Sequence, residues 1–220
     1  MPAPPPRSLD ELLTRAASLD GLRVGELALG LGLSLPAQPR LAKGHLGRLL
    51  ELALGADAGS RAEPDFRALG VELKSVPVDD LGRVRESTFV CSLDLKQAAR
   101  EEWETSRVRR KLDCVLWFPV QAGPTRPLAE RHLGTPRLWR PSGVENALLR
   151  GDWEQLMGRI AAGGIDDINA RLGRALQIRP KARGGWVRVD GRGPEGESLP
   201  VVPRGFYLRA RFTESVLWSG

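Results

Sequence analysis

The sequence predicts a mixed α/β fold, in which helices flank a central sheet. The first quarter of the chain carries apolar residues at helical spacing, the segment after it alternates as strands do, and further helical and strand patterns follow. With 220 residues, of which 41% are hydrophobic and 27% charged, the chain can bury a substantial core. We therefore expect a packed fold throughout.

Three helices are predicted before residue 55. Ser8 with Glu11 makes a capping-box pattern, which indicates the start of the first helix. A shorter helix is predicted over residues 24–29 and a third over residues 45–54, with Gly55 as its stop. The apolar positions of these segments share one face, so each helix should pack against a core.

Strand patterns follow the third helix. Residues 69–76 alternate, which places Glu72 and Lys74 on one face and apolar side chains on the other. Residues 87–93 are rich in strand formers and follow a turn, so the two segments are predicted to form a hairpin. Residues 112–120 are mostly apolar, which is typical of a central strand covered on both faces.

The second half of the chain predicts both helices and strands. Ser142 with Glu145 repeats the capping-box pattern before a long helix. Residues 183–200 are rich in Gly, Arg and Pro and predict an exposed loop. The other predicted elements are a helix over 165–172, strands over 176–179 and 205–212, and a short helix over 213–218.

The charge of the chain favours a polyanionic partner. The formal net charge is +6 and the sequence pI is about 10.0. Between residues 171 and 211, ten basic residues stand against three acidic ones, a net of +7 for that segment. The segment could bind nucleic acid, or it could simply form a solvated face, and charge alone does not separate the two interpretations.

Several protein classes can be set aside. No apolar stretch approaches the roughly 20 residues of a membrane span, and the N-terminus has no hydrophobic signal core, so a cytoplasmic protein is expected. Cys91 and Cys114 lie in apolar, strand-like runs, which indicates small buried thiols. With only two histidines, His45 and His132, a metal is expected to bind through oxygen rather than through nitrogen or sulfur.

Three residues form a pattern that suits phosphodiester hydrolysis. Asp65, Glu72 and Lys74 are spaced D-x6-E-x-K, and a strand would project the last two together. Carboxylates supply the hard oxygen ligands that Mg²⁺ prefers, and a neighbouring lysine can orient or deprotonate a water. The alternative is an exposed Glu72–Lys74 ion pair on an edge strand.

The residues around this pattern resemble one family. Pro64-Asp65 with Glu72-Leu73-Lys74 resembles the PD-(D/E)xK nuclease signature, and longer stretches resemble the MutH family of mismatch-repair endonucleases. The similar stretches include residues 54–60 (Leu-Gly-Ala-Asp-Ala-Gly-Ser), 64–74, 88–91 (Thr-Phe-Val-Cys), 103–106 (Trp-Glu-Thr-Ser), 177–181 (Gln-Ile-Arg-Pro-Lys) and 203–208 (Pro-Arg-Gly-Phe-Tyr-Leu). They run colinearly along most of the chain.

The resemblance implies a fold and a catalytic centre. The fold would be restriction-endonuclease-like, with a single domain whose two lobes, about 8–165 and 166–220, form a DNA-binding cleft. Asp65 and Glu72 would coordinate Mg²⁺, as one or two ions for which Mn²⁺ or Ca²⁺ could substitute in binding. Glu51 would complete the acidic cluster, Lys74 would assist the attacking water, and Lys111 would lie near the scissile phosphate.

The resemblance also implies a DNA sequence and partners. The enzyme would act as a monomer and nick the unmethylated strand of hemimethylated GATC sites, activated by MutL and, through it, by MutS. Tyr207, the only tyrosine, would sense the methyl group, although a tyrosine packed at the rim of the fold is the alternative. Arginine can donate two hydrogen bonds to guanine. DNA contacts are expected at Lys43, Arg179, Pro180, Lys181, Arg204, Tyr207 and Arg209.

Two other functions remain open at this point. A GATC-specific restriction-type enzyme of the same superfamily would cut both strands of unmethylated DNA without a partner. A non-catalytic DNA-binding protein would need none of the acidic and lysine residues named above. Cleavage of duplexes in three methylation states separates the three interpretations.

Overall fold

A computed structural model of the protein divides into two units. The described residues are 2–36, 42–59, 61–95, 98–123, 126–164, 168, 171–181, 189–192 and 198–219. Unit 1 comprises residues 1–85, 113–140 and 216–220, and unit 2 comprises residues 86–112 and 141–215. The predicted lobe boundary near residue 165 stays a prediction.

The described residues confirm the mixed α/β class. The helices are α1 (Leu9–Ala17), α2 (Val24–Gly30), α3 (Ala42–Leu54), α4 (Arg107–Leu112), α5 (Gly143–Ala161) and α6 (Ala210–Trp218). The strands are β1 (Glu72–Val78), β2 (Thr88–Ser92), β3 (Val115–Gln121), β4 (Arg137–Trp139), β5 (Leu176–Pro180), β6 (Val189–Arg192), β7 (Ser198–Val201) and β8 (Arg204–Leu208).

The three helices predicted for the first part of the chain are confirmed. Ser8 caps α1 by accepting a hydrogen bond from the Glu11 backbone N–H. The Glu11 carboxylate accepts from the backbone N–H of Arg7 rather than from that of Ser8, so the capping box is only half formed. Gly55 ends α3 with φ of 82°, a left-handed conformation that favours glycine, and donates its N–H to the Glu51 carbonyl.

Unit 1 contains a mixed three-stranded sheet in the order β1-β3-β4. β1 pairs with β3 in parallel, and β3 pairs with β4 in antiparallel. β3 is buried along nearly its whole length, as its apolar sequence predicts for a central strand. The predicted hairpin of residues 69–76 with 87–93 is wrong, because β1 pairs with β3 while β2 pairs with β8.

The core of unit 1 lies between its helices and this sheet. α3 packs against β1, and the buried side chains of α1, α3 and β3 form one apolar cluster. Leu12, Leu50, Phe66, Leu116 and Phe118 are among its most buried members. This packing fixes the start of β1 relative to the segment that follows α3.

Unit 2 contains an antiparallel three-stranded sheet in the order β2-β8-β5. α5 packs against β5, and α4 packs against β2. The predicted capping box of α5 is confirmed, since Ser142 and Glu145 bond reciprocally. Trp103 and Trp153 contribute to the packing, with ring centroids 5.9 Å apart.

Four sequence-based boundaries need correction. The strand predicted over residues 112–120 begins only at Val115, and Lys111, just before the predicted start, lies in the last turn of α4. The stretch 183–200, expected to be a loop, contains β6 and the larger part of β7, which pair in antiparallel. β8 ends at Leu208 and α6 begins at Ala210, so the predicted strand 205–212 is too long and the helix expected from Thr213 starts earlier. Most of the predicted helix 165–172 lies outside the described residues.

The predictions for the cysteines and for membrane-spanning segments concern the character of the interior and of the helices. Cys91 and Cys114 are buried free thiols, as predicted, and burial raises the pKa of the Cys114 thiol. Within the described ranges, the helices are too short or too polar to cross a membrane.

Candidate functional site

Glu72 and Lys74 form a close ion pair at the start of β1. The Lys74 ammonium Nζ lies 2.5 Å from Glu72 Oε1, and only 3% of the Glu72 side chain and 16% of the Lys74 side chain are exposed. The predicted arrangement of these two side chains on one face is therefore observed. The alternative of an exposed ion pair does not fit this burial, because a carboxylate is rarely buried without a function or a partner.

Asp65 lies next to this pair. Its carboxylate Oδ2 accepts a hydrogen bond of 2.8 Å from the backbone N–H of Leu73, the residue after Glu72. Phe66 and Val71 exchange backbone hydrogen bonds, which folds the chain back tightly between Asp65 and β1. The start of β1 thus brings the Asp65 carboxylate and the Glu72–Lys74 pair together.

The segment after α3 holds Asp65 from the other side. The backbone N–H groups of Asp57 and Ala58 donate to the Asp65 carbonyl at 3.0 and 3.2 Å. The Asp57 carboxylate in turn accepts hydrogen bonds from the backbone N–H and the guanidinium of Arg67. These bonds, the backbone one first, hold the pKa of the Asp57 carboxyl below its usual value. Asp57 is therefore charged near neutral pH and stabilises the turn that presents Asp65.

Of the three predicted metal-binding carboxylates, Asp65 and Glu72 lie at the start of β1, and Glu51 lies apart on α3. In the parts of the chain that the structure describes, no three histidine, cysteine, aspartate or glutamate side chains lie close enough together to hold a metal ion. Glu51 lies on α3 and forms an ion pair of 3.4 Å with Arg48. Asp65 and Glu72 remain as donors, and such a pair fits Mg²⁺, which commonly takes one or two carboxylates and completes its shell with water and substrate phosphate.

The remaining catalytic prediction concerns Lys111, which belongs to unit 2. It lies in the last turn of α4 and is partly buried. A basic residue in the last turn of a helix is favourably placed with respect to the helix dipole. Its proposed place near the scissile phosphate stays a prediction.

The predicted DNA-reading residues of unit 2 meet on one face of its sheet. The guanidinium carbon of Arg179, on β5, lies 5.9 Å from the ring centroid of Tyr207, on β8. The Tyr207 ring meets that of Phe89, on β2, edge to face with centroids 5.3 Å apart. Lys181 Nζ, just after β5, lies 5.1 Å from the Phe89 centroid, so the two aromatic rings lie between the two cations. These four side chains form a cation–aromatic face on the sheet. Cations beside aromatic rings suit both phosphates and bases.

Tyr207 is a neutral phenol at neutral pH. Burial raises the pKa of its hydroxyl above the usual value, and the nearby Arg179 guanidinium lowers it by a smaller amount. The side chain is partly buried, so both the structural and the sensing roles considered for it are compatible with its position.

The other predicted DNA contacts differ in how far the structure describes them. Arg209 donates from its guanidinium to the carbonyls of Leu172 and Gly173, at 2.8 and 2.9 Å, which gives it a structural role in unit 2. Pro180 is exposed and Arg204 is partly buried. Lys43 lies on α3, but its side chain is outside the described residues.

Sequence reasoning missed two serines that contact the predicted reading residues. Ser87 Oγ accepts a hydrogen bond of 3.1 Å from Arg179, and Ser92 Oγ accepts one of 2.7 Å from Lys181. A single serine beside a strand carries no periodic or spacing signal. Only the pairing of strands far apart in sequence brings these groups together.

Comparisons with known proteins identify one family. The family described as DNA mismatch repair enzyme MutH matches residues 54–152, which include Asp65, Glu72, Lys74 and Lys111. The DNA mismatch repair protein MutH of Escherichia coli O6:K15:H31 is 49% identical over 213 residues, covering 97% of this chain and 93% of that protein. The MutH proteins of Salmonella typhi (49% identical, 97% and 92% covered) and Escherichia coli K12 (48%, 97% and 93%) are similarly close.

Proposed function

The chain belongs to the MutH family of DNA mismatch repair enzymes, and we propose that it nicks the unmethylated strand of hemimethylated GATC sites. As a member of this family it is a DNA endonuclease that hydrolyses phosphodiester bonds. The observation that carries the proposal is the position of the Asp65 carboxylate beside the buried Glu72–Lys74 pair at the start of β1.

Asp65 and Glu72 would hold the divalent cation of this enzyme, which we propose to be Mg²⁺. When bound, the ion supplies Lewis-acid stabilisation of the negative charge that develops on the phosphate. Lys74 Nζ would hold the attacking water by donating a hydrogen bond as an ammonium, or would take the proton of that water as a neutral amine. The contact with Glu72 holds this ammonium at the site before DNA arrives.

Glu51 and Lys111 would support these three residues. Glu51 would add negative charge near the cation from α3, which packs against β1. Lys111 would contribute a positive charge toward the phosphate being cleaved. Mn²⁺ or Ca²⁺ would bind the same carboxylates, because both are cations that oxygen ligands suit.

The cation–aromatic face of unit 2 would read the DNA. Arg179 would donate to guanine, Pro180 and Tyr207 would contact bases, and Tyr207 would sense the methyl group of adenine. Lys43, Lys181, Arg204 and Arg209 would bind DNA as well, chiefly its phosphates, which position the protein without specifying sequence. Because phosphate contacts release counterions, the affinity for DNA should fall steeply with salt.

We further propose that the protein works in the cytoplasm as a monomer that MutL activates, with MutS acting through MutL. The similarity to the MutH protein of Escherichia coli O6:K15:H31 supports this proposal. It extends over 97% of this chain at 49% identity and includes the elements that carry the proposed catalytic and reading residues. Addition of MutL should therefore raise the nicking rate without changing which strand is cut.

Strand-resolved cleavage tests the function directly. Unmethylated, hemimethylated and fully methylated GATC duplexes, each strand with its own label, are incubated with Mg²⁺ or EDTA, with and without MutL. We expect Mg²⁺-dependent nicking of the unmethylated strand of hemimethylated DNA. Efficient cutting of both strands without MutL would indicate a restriction-type enzyme, and binding without cleavage under every condition would indicate a non-catalytic DNA-binding protein.

Two variants separate catalysis from reading in the same assay. Asp65→Asn removes a charged metal ligand and should abolish nicking while leaving DNA binding largely intact. Tyr207→Ala should leave nicking measurable but reduce the preference for hemimethylated over fully methylated DNA. An unchanged preference in Tyr207→Ala would show that another residue senses the methyl group.

A further inference from the structure

Ser87 connects two side chains of the strand that carries Arg179. Its hydroxyl oxygen accepts a hydrogen bond of 2.7 Å from Gln177 Nε2 and another of 3.1 Å from Arg179 Nη1. We propose that Ser87 is a positioning residue, which holds the Arg179 guanidinium beside the Tyr207 ring so that it can read a base. This inference rests on the proposed function, because it assigns a part in DNA reading to a residue outside the predicted set.

Gln177 fixes the position of the Ser87 hydroxyl. The Gln177 side chain is buried, with 5% of the residue exposed, and a buried amide N–H left without a hydrogen-bond partner destabilises the fold. The bond to Ser87 is therefore strongly favoured. A hydroxyl oxygen has two acceptor positions, and the N–H groups of Gln177 and Arg179 together use both. Ser87 thus presents a fixed acceptor to Arg179.

The guanidinium of Arg179 is held from two directions. Arg179 is exposed, and a long exposed arginine side chain loses rotamer entropy when it is ordered. Ser87 accepts from one of its nitrogens, while the Tyr207 ring lies 5.9 Å from its central carbon. Arg179 therefore loses part of its side-chain entropy already in the free protein, so less is lost when DNA binds. Such preorganisation raises affinity.

The sheet register explains why these groups meet. Gln177 pairs with Tyr207 across β5 and β8, and Arg179 pairs with Gly205, so the four positions lie on one face. Gly205 has no side chain, and a Cβ there would lie 2.8 Å from the Phe89 ring. The glycine therefore leaves room for the Phe89 ring, which packs against the Tyr207 ring that Arg179 contacts.

Lys181 and Ser92 provide a matched control at the other end of β2. Lys181 Nζ donates to Ser92 Oγ at 2.7 Å, in the same way that Arg179 donates to Ser87. An ammonium is a point charge without a planar fork, so its orientation matters less for base reading. Loss of Ser92 should weaken DNA binding for all sequences alike, whereas loss of Ser87 should weaken discrimination.

The first test needs no DNA. Tyr207 is the only tyrosine, so tyrosinate absorbance during an alkaline titration reports its pKa alone. The Arg179 charge lowers that pKa, so Ser87→Ala, which releases Arg179, should raise it toward the value of Arg179→Ala. Ser87→Thr, which retains a hydroxyl, and Ser92→Ala should titrate like the wild type. If Ser87→Ala also titrates like the wild type, Ser87 does not hold Arg179.

The second test measures discrimination by nicking. The value of kcat/KM is compared between the GATC duplex and a duplex whose guanine is replaced by 7-deazaguanine, which lacks the N7 acceptor. Since a bidentate arginine–guanine contact discriminates strongly against the wrong base, Ser87→Ala should reduce this ratio about threefold or more, and Ser87→Thr should restore it. If the ratio of Ser87→Ala stays within about 1.5-fold of the wild-type ratio, the change is smaller than a lost contact would cause. That result would overturn the role of Ser87 in reading.

A double variant distinguishes positioning from general stability. If Ser87 acts through Arg179, the ratio of Ser87→Ala/Arg179→Ala should equal that of Arg179→Ala alone. Independent, additive losses would contradict the inference. A wild-type protein that nicks no duplex would overturn the proposed function, whereas the titration would still decide whether Ser87 holds Arg179.

Discussion

The Lys74 ammonium lies 2.5 Å from the Glu72 carboxylate at the start of β1, where the Glu72 side chain is buried and the Lys74 side chain is partly buried. In a buried ion pair each charge offsets the cost of desolvating the other, so removal of one partner is more damaging than removal of both. The ion pair should therefore affect both the stability of unit 1 and its proposed chemistry. The two effects can be measured separately.

A double-variant cycle should show this coupling. Lys74→Met should lower the free energy of unfolding by about 3 kcal/mol, because it removes the ammonium that compensates the Glu72 carboxylate. Glu72→Gln combined with Lys74→Met should recover much of that loss, while nicking stays absent in all variants. Urea denaturation measures the stabilities, and Arg48→Met, which breaks the exposed pair with Glu51, is the control at less than about 1 kcal/mol. Additive losses in the double variant would contradict the coupling.

Asp152 should be important for the stability of unit 2. Its buried carboxylate accepts backbone hydrogen bonds from Arg174, Ala175 and Leu176, at distances of 2.6 to 2.9 Å. Asp152→Ala leaves these N–H groups without their acceptor and should cost about 3 kcal/mol or more, measured by chemical denaturation. The neighbouring Glu154→Ala, which breaks only an exposed pair with Arg150, should cost less than about 1 kcal/mol. Equal effects of the two substitutions would show that the buried bonds add little.

Tyr207 should ionise above the usual tyrosine pKa of 10.0. Burial disfavours the phenolate in the folded protein, so the folded state binds the proton more tightly than the unfolded state does. The contribution of Tyr207 to stability is therefore fully present below the unfolded pKa and is lost as the pH rises through the folded pKa. Tyrosinate absorbance against pH measures the shift, with Tyr207→Phe as the blank, and a midpoint at or below the usual value would contradict it.

Local signals in the sequence predict helix starts and strand faces well. The reciprocal bonds of Ser142 and Glu145 join residues three apart, so the capping pattern alone identifies the start of α5. Likewise, the period of two in β1 places Glu72 and Lys74 on one face whatever strand lies beside it. The placement of Glu72 and Lys74 beside each other in the candidate site could therefore be predicted from the sequence.

Strand partners and cross-strand contacts could not be predicted in the same way. β1 pairs with β3, which begins more than thirty positions after β1 ends. The local sequence favours a hairpin with the nearer β2, because a turn separates the two segments. α4 is only six residues long and mostly charged, so its two buried positions, Val108 and Leu112, are too few to indicate a helix. β6 lies in a stretch whose glycines and arginines resemble a loop. The contact between Ser87 and Arg179 depends on strands about ninety residues apart.

Calorimetric titration of Ca²⁺ into the protein bound to a hemimethylated GATC duplex tests the central claim most directly. Ca²⁺ binds oxygen ligands, and we expect it to occupy the site without the turnover that would obscure the heat of binding. The wild type should bind the ion, whereas Asp65→Asn and Glu72→Gln should show little or no binding heat under the same conditions. Equal binding heats in the wild type and both variants would contradict the proposal that these carboxylates hold the catalytic metal.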